Sequence, residues 1–231
     1  MGCIILWKTK TPGIPDELFD RDEKVPITKE EVRAVQISKG RLKPGMIVYD
    51  IGCGSGSMSV EAALQVEDSG HVHAVDYDPK AVELTKKNLA KFGISNVSVI
   101  GKNANESISE LPDADTIFVG GTGEDTTEIV KMCLDKLKLE GRIVIGMIQI
   151  ETIFSVLSFV QKQGLTSVDI TQVTISKSRK TSTGTMMLAR NPVTILSATK
   201  SQAWKELKER EKRLDRALTE AYGTNPDGTK N

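Results

Sequence analysis

Residues 48–56 read Val-Tyr-Asp-Ile-Gly-Cys-Gly-Ser-Gly, and this stretch decides the fold. It begins as a short apolar strand and runs into a glycine-rich turn, after which a helix pattern starts near Ser57. Glycine suits such a turn because it adopts positive φ at little cost and has no Cβ to hold a ligand away. The helix that follows presents N–H groups and the positive end of its dipole. The stretch therefore predicts a ligand site between a strand and a helix.

The spacing of Gly52, Gly54 and Gly56, with Asp50 before them, separates two classes of ligand. A dinucleotide site typically has G-x-G-x-x-G, so that a pyrophosphate sits on the helix N-terminus. Here the third glycine comes one residue early, and an acid before the glycines disfavours a pyrophosphate and favours an ammonium group. The pattern D-x-G-x-G-x-G resembles motif I of the class I S-adenosylmethionine (SAM) methyltransferases. A tight turn without a ligand remains the alternative, because such a loop alone is weak evidence.

The second strand pattern, at 71–76, ends in Asp76. An acid about 20 residues beyond the glycines accepts hydrogen bonds from ribose hydroxyls in nucleotide-binding folds. With Asp78 and Pro79 the segment resembles the V-D-x-x-P of the same methyltransferases. The alternative is that Asp76 caps the next helix, but Asp78 is better placed for that role because proline favours the first helical position.

From Met46 the sequence alternates strand and helix patterns. Strands are expected near 46–51, 71–76, 96–100, 115–119 and 142–149, and helices near 57–66, 79–92, 104–110, 124–138 and 151–163. Two further strands are expected at 167–176 and 184–190. We therefore predict an α/β fold of the Rossmann-like class I methyltransferase type, with a mostly parallel twisted sheet, helices on both faces and an antiparallel C-terminal strand pair. Ligands bind at the carboxyl ends of the strands in such sheets.

Composition limits the classes of function. The chain has 231 residues, and 31 Lys and Arg side chains balance 31 Asp and Glu side chains. This neutral charge argues against a strongly basic nucleic-acid-binding protein. Cys3, Cys53 and Cys133 form no metal-ligand spacing and no disulfide framework, so we expect no metal and a reducing, cytoplasmic location. The apolar opening is far too short to span a membrane, and no membrane partner is expected.

Three parts are expected along the chain: an N-terminal arm at 1–24, a SAM-dependent methyltransferase domain at 25–198, and a polar C-terminal helix with a disordered tail at 199–231. Thr28 and Glu31 match a capping box that would start a helix. Disorder is expected from Gly223 onward. One stripe of the C-terminal helix is formed by Trp204, Leu207, Leu214, Leu218 and Ala221, interrupted by Glu211.

Two strand ends carry further candidates. Asn103 follows the third strand, where class I methyltransferases often place an Asp that binds the adenine amino group. An amide can also accept from that group, but Asn103 as a helix cap toward Glu106 is an equal alternative. The fourth strand ends in Gly120 and Gly121, which predicts a backbone that lies close to a ligand. The N-P-P-Y motif of amino-methylating enzymes is absent there, so a flat, bulky acceptor is favoured over an exocyclic amine.

The run Lys177-Ser178-Arg179-Lys180 falls between the two late strands. The ordinary interpretation is a solvated hairpin tip. The alternative is a rim that binds carboxylates through charge-assisted hydrogen bonds.

Several stretches resemble one family, the cobalt-precorrin C15-methyltransferases (decarboxylating) of cobalamin biosynthesis. The similarity covers about residues 12–198, and the glycine loop within it is common to all class I methyltransferases. More particular are Pro12-Gly13-Ile14-Pro15-Asp16-Glu17-x-Phe19, Val25-Pro26-Ile27-Thr28-Lys29-x-Glu31-Val32-Arg33, and Gly184-Thr185-Met186-Met187 with Asn191-Pro192-Val193.

The resemblance implies an enzyme that transfers a methyl group from SAM to C15 of a corrin precursor, with loss of the C12 acetate as carbon dioxide, in a homotetramer. It implies cofactor contacts at Thr28, Asp50, Gly52, Cys53, Gly54, Ser55, Gly56, Asp76, Tyr77, Asn103, Ala104 and Gly120. Substrate contacts are expected at Gly121, Lys177, Arg179, Lys180 and Arg190.

Glu151, after the fifth strand, is a candidate proton-transfer residue, although an acid that merely favours a helix start is the stronger interpretation. The sequence does not identify the catalytic residues beyond this one candidate. Two other functions remain open: a transfer-RNA adenine-N1 methyltransferase, and a SAM-binding protein without catalysis.

Overall fold

The computed structural model describes residue 7 and residues 9–222 of the chain. The strands are β1 (Ile47–Ile51), β2 (His71–Val75), β3 (Val97–Ile100), β4 (Ala114–Val119), β5 (Leu137–Met147), β6 (Thr166–Val173), β7 (Ser176–Lys180), β8 (Thr185–Ala189) and β9 (Val193–Thr199). The helices are α1 (Glu30–Gly40), α2 (Ser57–Val66), α3 (Pro79–Phe92), α4 (Ala104–Ser107), α5 (Thr126–Lys136), α6 (Ile150–Val160) and α7 (Gln202–Tyr222).

The main sheet is seven-stranded, in the order β3-β2-β1-β4-β5-β9-β6. Neighbouring strands from β3 to β5 are parallel, and β9 lies antiparallel between β5 and β6. A separate two-stranded antiparallel sheet is formed by β7 and β8. The predicted fold class is confirmed. The strand order reverses between β1 and β4, which is where open α/β sheets bind ligands.

Alternate residues of the central strands supply two cores, one on each face of the sheet. Tyr49 and Ile51 of β1 pack with α5 and α6 around Cys133 and Val156. Val48 of the same strand packs on the other face with α1 and α2, around Ile37 and Ala62. Both faces of β1 are therefore covered, which explains why this strand reads as an almost continuous apolar run.

The ends of α3 match the signals in its sequence. Asp78 precedes the helix, and its side chain accepts from the amide of Lys80 at 2.9 Å, with Pro79 at the first helical position. Gly93 ends the helix in the left-handed conformation, at φ 68°. The assignment of the cap to Asp78 rather than Asp76 is confirmed.

The predicted capping box at Thr28 is wrong. Helix α1 begins at Glu30, Lys29 holds the cap position, and no side chain caps the helix. Glu31 does not reach back to Thr28, because its carboxylate pairs with Lys177 of β7 at 2.8 Å. A tertiary ion pair has replaced the local interaction that the sequence pattern suggested.

The basic run was predicted as a hairpin tip and lies instead within β7. Arg179 pairs with Met186 of β8, and the turn falls at 181–184, where the amide of Thr181 donates to the carbonyl of Gly184 at 2.8 Å. The expected long strand at 167–176 is correspondingly divided between β6 and β7. Pairing between strands, rather than propensity, decides these bounds.

Strand β5 begins well before the predicted residue 142 and follows α5 directly. Leu137 pairs with Ala114 of β4, and the register then shifts before Thr116 pairs with Arg142. Glu140 has φ 63° in this irregular stretch. The early start depends on a partner strand that the local sequence does not reveal.

Helix α7 contacts the domain through its first turns. Trp204 is buried, and the Lys200 ammonium lies 3.8 Å from the centroid of its ring. Leu214 and Leu218 of the predicted stripe are exposed. The disorder expected from Gly223 falls outside the described residues, and the three-part division at 1–24, 25–198 and 199–231 stays a prediction.

None of the helices in the described part of the chain combines the length and apolarity needed to cross a membrane.

Candidate active site

The carboxyl ends of β1, β2, β3 and β4 surround a cavity at the point where the strand order reverses. Its walls come from the loops that follow these four strands. They are formed by Ile51, Gly52, Val75, Asp76, Tyr77, Asn103, Ala104, Asn105, Gly121 and Thr122, together with Asp125 and Ile129 from the start of α5. The sequence placed its candidates at strand ends, and the fold brings those ends together.

Two glycines of the loop after β1 are required by close approaches of backbone to backbone. A Cβ on Gly52, which has φ 75°, would lie 1.8 Å from the carbonyl oxygen of Gly120. A Cβ on Gly54, which has φ 53°, would lie 2.8 Å from the carbonyl oxygen of Pro26. The loop therefore packs between the end of β4 and the segment before α1, and side chains there would force the walls of the site apart.

The amides of this loop already have partners within the protein. Gly52 and Cys53 donate to the carbonyl of Val75 at 2.8 and 3.1 Å, and Gly54 donates to Oδ2 of Asp76 at 2.9 Å. The amides of Ser55 and Gly56 donate to the carbonyls of Pro26 and Cys53, at 3.3 and 2.8 Å. A pyrophosphate is bound by free loop amides. This loop is therefore a poor site for a dinucleotide.

Helix α3 holds the other side of the same loop. The hydroxyl of Thr85 donates to the carbonyl of Gly54 at 2.9 Å, and the side-chain amide of Asn88 donates to the carbonyl of Ser55 at 2.8 Å. Both side chains are fully buried. Asn88 also accepts from the amide of Asp20 at 2.8 Å, so it joins α3, the loop and the N-terminal segment.

Asp76 stands on the cavity wall and holds two backbone amides. Its Oδ2 accepts from Gly54, and its Oδ1 accepts from the amide of Asp78 at 3.0 Å. Each carboxylate oxygen has a further lone pair. The fixed carboxylate therefore presents acceptor positions to a ligand with paired hydroxyl groups.

Asp50 lies beneath the loop and not on the cavity wall. It is 4% exposed, and one of its oxygens accepts from the hydroxyl of Ser59 at 2.5 Å. Burial, together with the charge of Asp76, raises the pKa of its carboxyl to about 6, and the hydrogen bond from Ser59 opposes this rise. A cation bound above the loop would favour the ionised form of Asp50.

The family model of the precorrin methyltransferase domain matches residues 17–200, which include the loop, both acids and the sheet described above. The chain belongs to the precorrin methyltransferase family.

A curated relative in this family comes from Saccharolobus solfataricus and is named "Probable cobalt-precorrin-6B C(15)-methyltransferase (decarboxylating)". It is 45% identical over 196 residues, which are 84% of this chain and 98% of the relative.

Two solved structures of the family superpose on the chain. Precorrin 8W decarboxylase from Methanobacterium thermoautotrophicum has a TM-score of 0.75 at 34% identity, over 80% of this chain and 98% of that one. Precorrin-6Y C5,15-methyltransferase from Geobacter metallireducens has a TM-score of 0.76 at 35% identity, over 82% and 98%.

The N-terminal segment of this precorrin methyltransferase is tied to the domain by a buried cation. Arg33 of α1 is fully buried and donates from Nε to Glu61 of α2 at 2.6 Å and from Nη1 to Asp16 at 3.2 Å. It also donates to the backbone carbonyls of Ile14 and Thr28. These bonds hold the carbonyl of Thr28, two residues beyond Pro26, whose own carbonyl accepts from the amide of Ser55 in the glycine loop.

The remaining predicted cofactor residues lie around the cavity. Tyr77 and Asn103 are exposed, and no side-chain hydrogen bond from Asn103 caps α4. Asn103 does hold the cap position of α4, and its backbone carbonyl accepts from the amide of Glu106, but its side chain makes no cap bond. Ala104 and Gly121 line the cavity, and Gly120 approaches Gly52 from the end of β4.

The predicted substrate cations divide into two groups. Lys177 pairs with Glu30 at 2.7 Å and with Glu31 at 2.8 Å, so it attaches the β7–β8 hairpin to the start of α1. Arg179, Lys180 and Arg190 are exposed on the hairpin or at its end, and no ion pair is found for them among the described residues. The structure thus brings Lys177 to a protein partner and leaves the other three facing solvent.

Glu151 is exposed in the first turn of α6. It lines a shallow surface depression with Thr126, Gln149 and Ser155, next to the cavity but not in its wall. This position fits an acid that favours the helix N-terminus, and the proton-transfer role stays a prediction.

Proposed function

We propose that this chain uses SAM to methylate C15 of a cobalt-precorrin and releases the C12 acetate carboxyl as carbon dioxide. The observation that carries the proposal is the joined unit of glycine loop and Asp76 at the cavity, in a chain of the precorrin methyltransferase family. The names of its relatives support the choice of substrate and of carbon atom.

The residues present suit SAM. Asp76 offers acceptors for two ribose hydroxyls, and Asn103 and Ala104 line the part of the cavity after β3, where an adenine would lie. Among the described residues, no hydrogen bond is found to the carbonyl of Gly52, which leaves an acceptor for an ammonium group above Asp50. The proposal keeps the other expected cofactor contacts at Thr28, Cys53, Ser55, Gly56, Tyr77 and Gly120. Bound SAM supplies an electrophilic methyl group.

The acceptor needs little base catalysis from the protein. A meso carbon between electron-rich pyrrole-type rings is itself nucleophilic, so the main task is to hold this carbon in line with the methyl group. The cavity walls contain no His or Cys, which agrees with this requirement. Gly121 and the open surface beside Gly120, where a Cβ would meet nothing within 4 Å, leave room for a flat macrocycle.

Loss of the acetate carboxyl follows from the methylation in this proposal. Methyl transfer to C15 uses a π-electron pair of the conjugated ring system for the new C–C bond and leaves that system with one positive charge. When the C–C bond to the C12 carboxylate breaks, its electron pair enters the ring system and carbon dioxide leaves. The remaining CH2 then takes up one proton to become a methyl group. Glu151 is a candidate for supplying that proton.

The test is an anaerobic incubation of the purified chain with a cobalt-precorrin and SAM labelled in its methyl group. The proposal predicts a product that carries the label and has lost one carboxyl group. Unchanged cobalt-precorrin, in a preparation that binds SAM, would refute it.

The function as a transfer-RNA adenine-N1 methyltransferase predicts a basic cleft and salt-sensitive RNA binding. The balance of 31 basic and 31 acidic side chains disfavours it. Filter binding at low salt distinguishes the two, because the precorrin proposal predicts no retained RNA. A SAM-binding protein without catalysis would bind SAM and transfer no methyl group in the incubation above.

We further propose that the chain is a cytoplasmic homotetramer. The exposed Met186, Met187 and Leu188 of β8 supply an apolar surface that suits a contact between subunits. Light scattering of the eluted protein should then report four chains. If light scattering reports a single chain at micromolar concentration, the tetramer proposal is wrong, and the proposed activity is not affected.

A further inference from the structure

A cluster of cations lies where the N-terminal segment, α1 and the β7–β8 hairpin meet. Lys29 is at its centre, directly before α1 and three residues beyond Pro26, whose carbonyl contacts the glycine loop. The Lys29 side chain is 30% exposed, and its Nζ lies 3.8 Å from Oδ2 of Asp16. The ammonium therefore has a loose carboxylate neighbour and partial access to solvent, and its residue follows closely on the segment that contacts the cofactor loop.

Other cations surround this ammonium. Burial is the main cause that lowers the pKa of Lys29, Asp16 opposes it, and Arg190, Arg21 and Arg33 lower the pKa further. Arg33 shares the carboxylate of Asp16 with Lys29, which places these two cations on one acid. Arg21 donates to the backbone carbonyl of Asp16 at 3.1 Å and not to its carboxylate.

The neighbouring carboxylates are already paired. Oδ1 of Asp16 binds Arg33 at 3.2 Å, and Glu61 binds Arg33 at 2.6 Å and accepts from the amides of Gly13 and Ile14. Glu30 and Glu31, the first residues of α1, both pair with Lys177. Lys29 therefore keeps only its 3.8 Å contact with Asp16, and no ion pair of Arg190 is found among the described residues, so an anionic ligand would supply both cations with a partner.

The ion pairs of Lys177 also explain how Arg190 reaches this place. They fix β7 to the first turn of α1, beside Lys29. The amide of Arg190 donates to the carbonyl of Ile175 at 2.9 Å, which holds Arg190 at the base of the same hairpin. The hairpin thus brings Arg190 to the neighbourhood of Lys29 at the start of α1.

We propose that Lys29 and Arg190 together bind a carboxylate side chain of the corrin substrate and so orient the macrocycle over the cofactor loop. This inference rests on the proposed function and names a substrate contact, Lys29, that the sequence pattern did not single out. Lys177, expected at the rim, has instead the role of positioning the hairpin.

The test uses cobyrinic acid, a corrinoid that retains its carboxylates, and its heptamethyl ester, which has none. The full chain with saturating SAM is titrated with each compound, and SAM affinity is measured separately. Lys29→Met and Arg190→Met are the test variants, Lys29→Arg keeps the charge, and Lys10→Met removes an exposed cation that pairs only with Glu67.

The expected loss for Lys29→Met and for Arg190→Met is roughly 10- to 100-fold in affinity for the acid, since each removes a charge-assisted hydrogen bond. SAM affinity should stay within about twofold, Lys29→Arg should recover most of the loss, and Lys10→Met should bind as the natural chain does. Added salt should weaken binding of the acid more than binding of the ester. Arg190 is exposed, so its variant keeps the test valid even if Lys29→Met folds poorly.

Different failures have different meanings. If the natural chain binds the acid and both methionine variants bind it equally well, the inference is overturned and the proposed function stands. If Lys29→Met loses affinity for SAM to the same extent as affinity for cobyrinic acid, Lys29 belongs to the cofactor site and the inference is again overturned. If the natural chain binds SAM but neither cobyrinic acid nor a cobalt-precorrin, the proposed function fails and the inference fails with it.

Discussion

The amide of Gly54 donates to the Oδ2 atom of Asp76 across 2.9 Å. The loop after β1 and the acid after β2 are therefore one unit, in which the carboxylate both shapes the loop and faces the cavity. This arrangement makes Asp76 a residue whose removal has two effects at the same site.

Asp76→Ala should weaken SAM binding by about 1–3 kcal/mol, because a charged acceptor for ribose hydroxyls is lost together with the bond to Gly54. Calorimetric titration measures the change. Asp78→Ala is the matched control, since it removes the cap of α3, which costs helix stability but no ligand contact. Equal SAM affinity for the natural chain and Asp76→Ala would limit Asp76 to a structural role.

Asp50 should make stability depend on pH. Its folded-state pKa is raised to about 6 from 3.8, so the folded protein binds a proton more tightly than the unfolded chain. The contribution of Asp50 to the free energy of unfolding should therefore be highest below about pH 4, fall by up to about 3 kcal/mol as the pH rises to about 6, and stay lower above it. Asp50→Asn should be the more stable protein at neutral pH and should lack this dependence.

Chemical denaturation of both proteins over that pH range provides the measurement. If the free energy of unfolding of the natural chain and that of Asp50→Asn depended on pH in the same way, the folded protein would not raise the pKa of this carboxyl.

Arg33→Met should lower the free energy of unfolding by about 3–5 kcal/mol, because Glu61 and Asp16 would keep their buried charges without the cation between them. Lys10→Met is the control. It breaks the exposed pair with Glu67, in which the lysine side chain is 90% exposed, and should change stability little. Similar denaturation midpoints for the two variants would contradict the importance of the buried network.

Asn88→Ala should reduce both stability and SAM affinity, because Asn88 holds the carbonyl of Ser55 in the cofactor loop. Asn96→Ala is matched in chemistry: its side-chain amide donates to the carbonyls of Ala63 and Glu67 at the far end of α2. Each change should cost about 1–3 kcal/mol of stability. Only Asn88→Ala should weaken SAM binding, and an equal effect of both variants on affinity would make the loop contact irrelevant to the cofactor.

Much of the sheet was predictable because its signals are local. The apolar runs fix the strands, and the glycines after β1 are at the positions where a Cβ would collide with Gly120 or Pro26. Asp78 and Pro79 likewise mark the start of α3 within their own segment. The carboxyl ends of these strands had to meet once the strands were parallel, so the site residues nearest the loop came together as expected.

The failures involve partners that are distant in sequence. Glu31 was expected to act within its own helix turn, but Lys177 reaches it from the hairpin. The buried position of Asn88 and its bond to Ser55 leave no mark in the helix pattern of α3, where any polar residue would fit equally well. The start of β5 at Leu137 depends on pairing with Ala114, which no local propensity records.

All of the proposals require that the glycine loop and Asp76 form a SAM site, and calorimetric titration of the purified chain with SAM and with NAD tests this directly. Because the loop amides already donate to protein carbonyls and to Asp76, we predict micromolar binding of SAM and no binding of NAD. Binding of NAD without SAM would contradict the account, because it would require the loop to release those amides for a pyrophosphate.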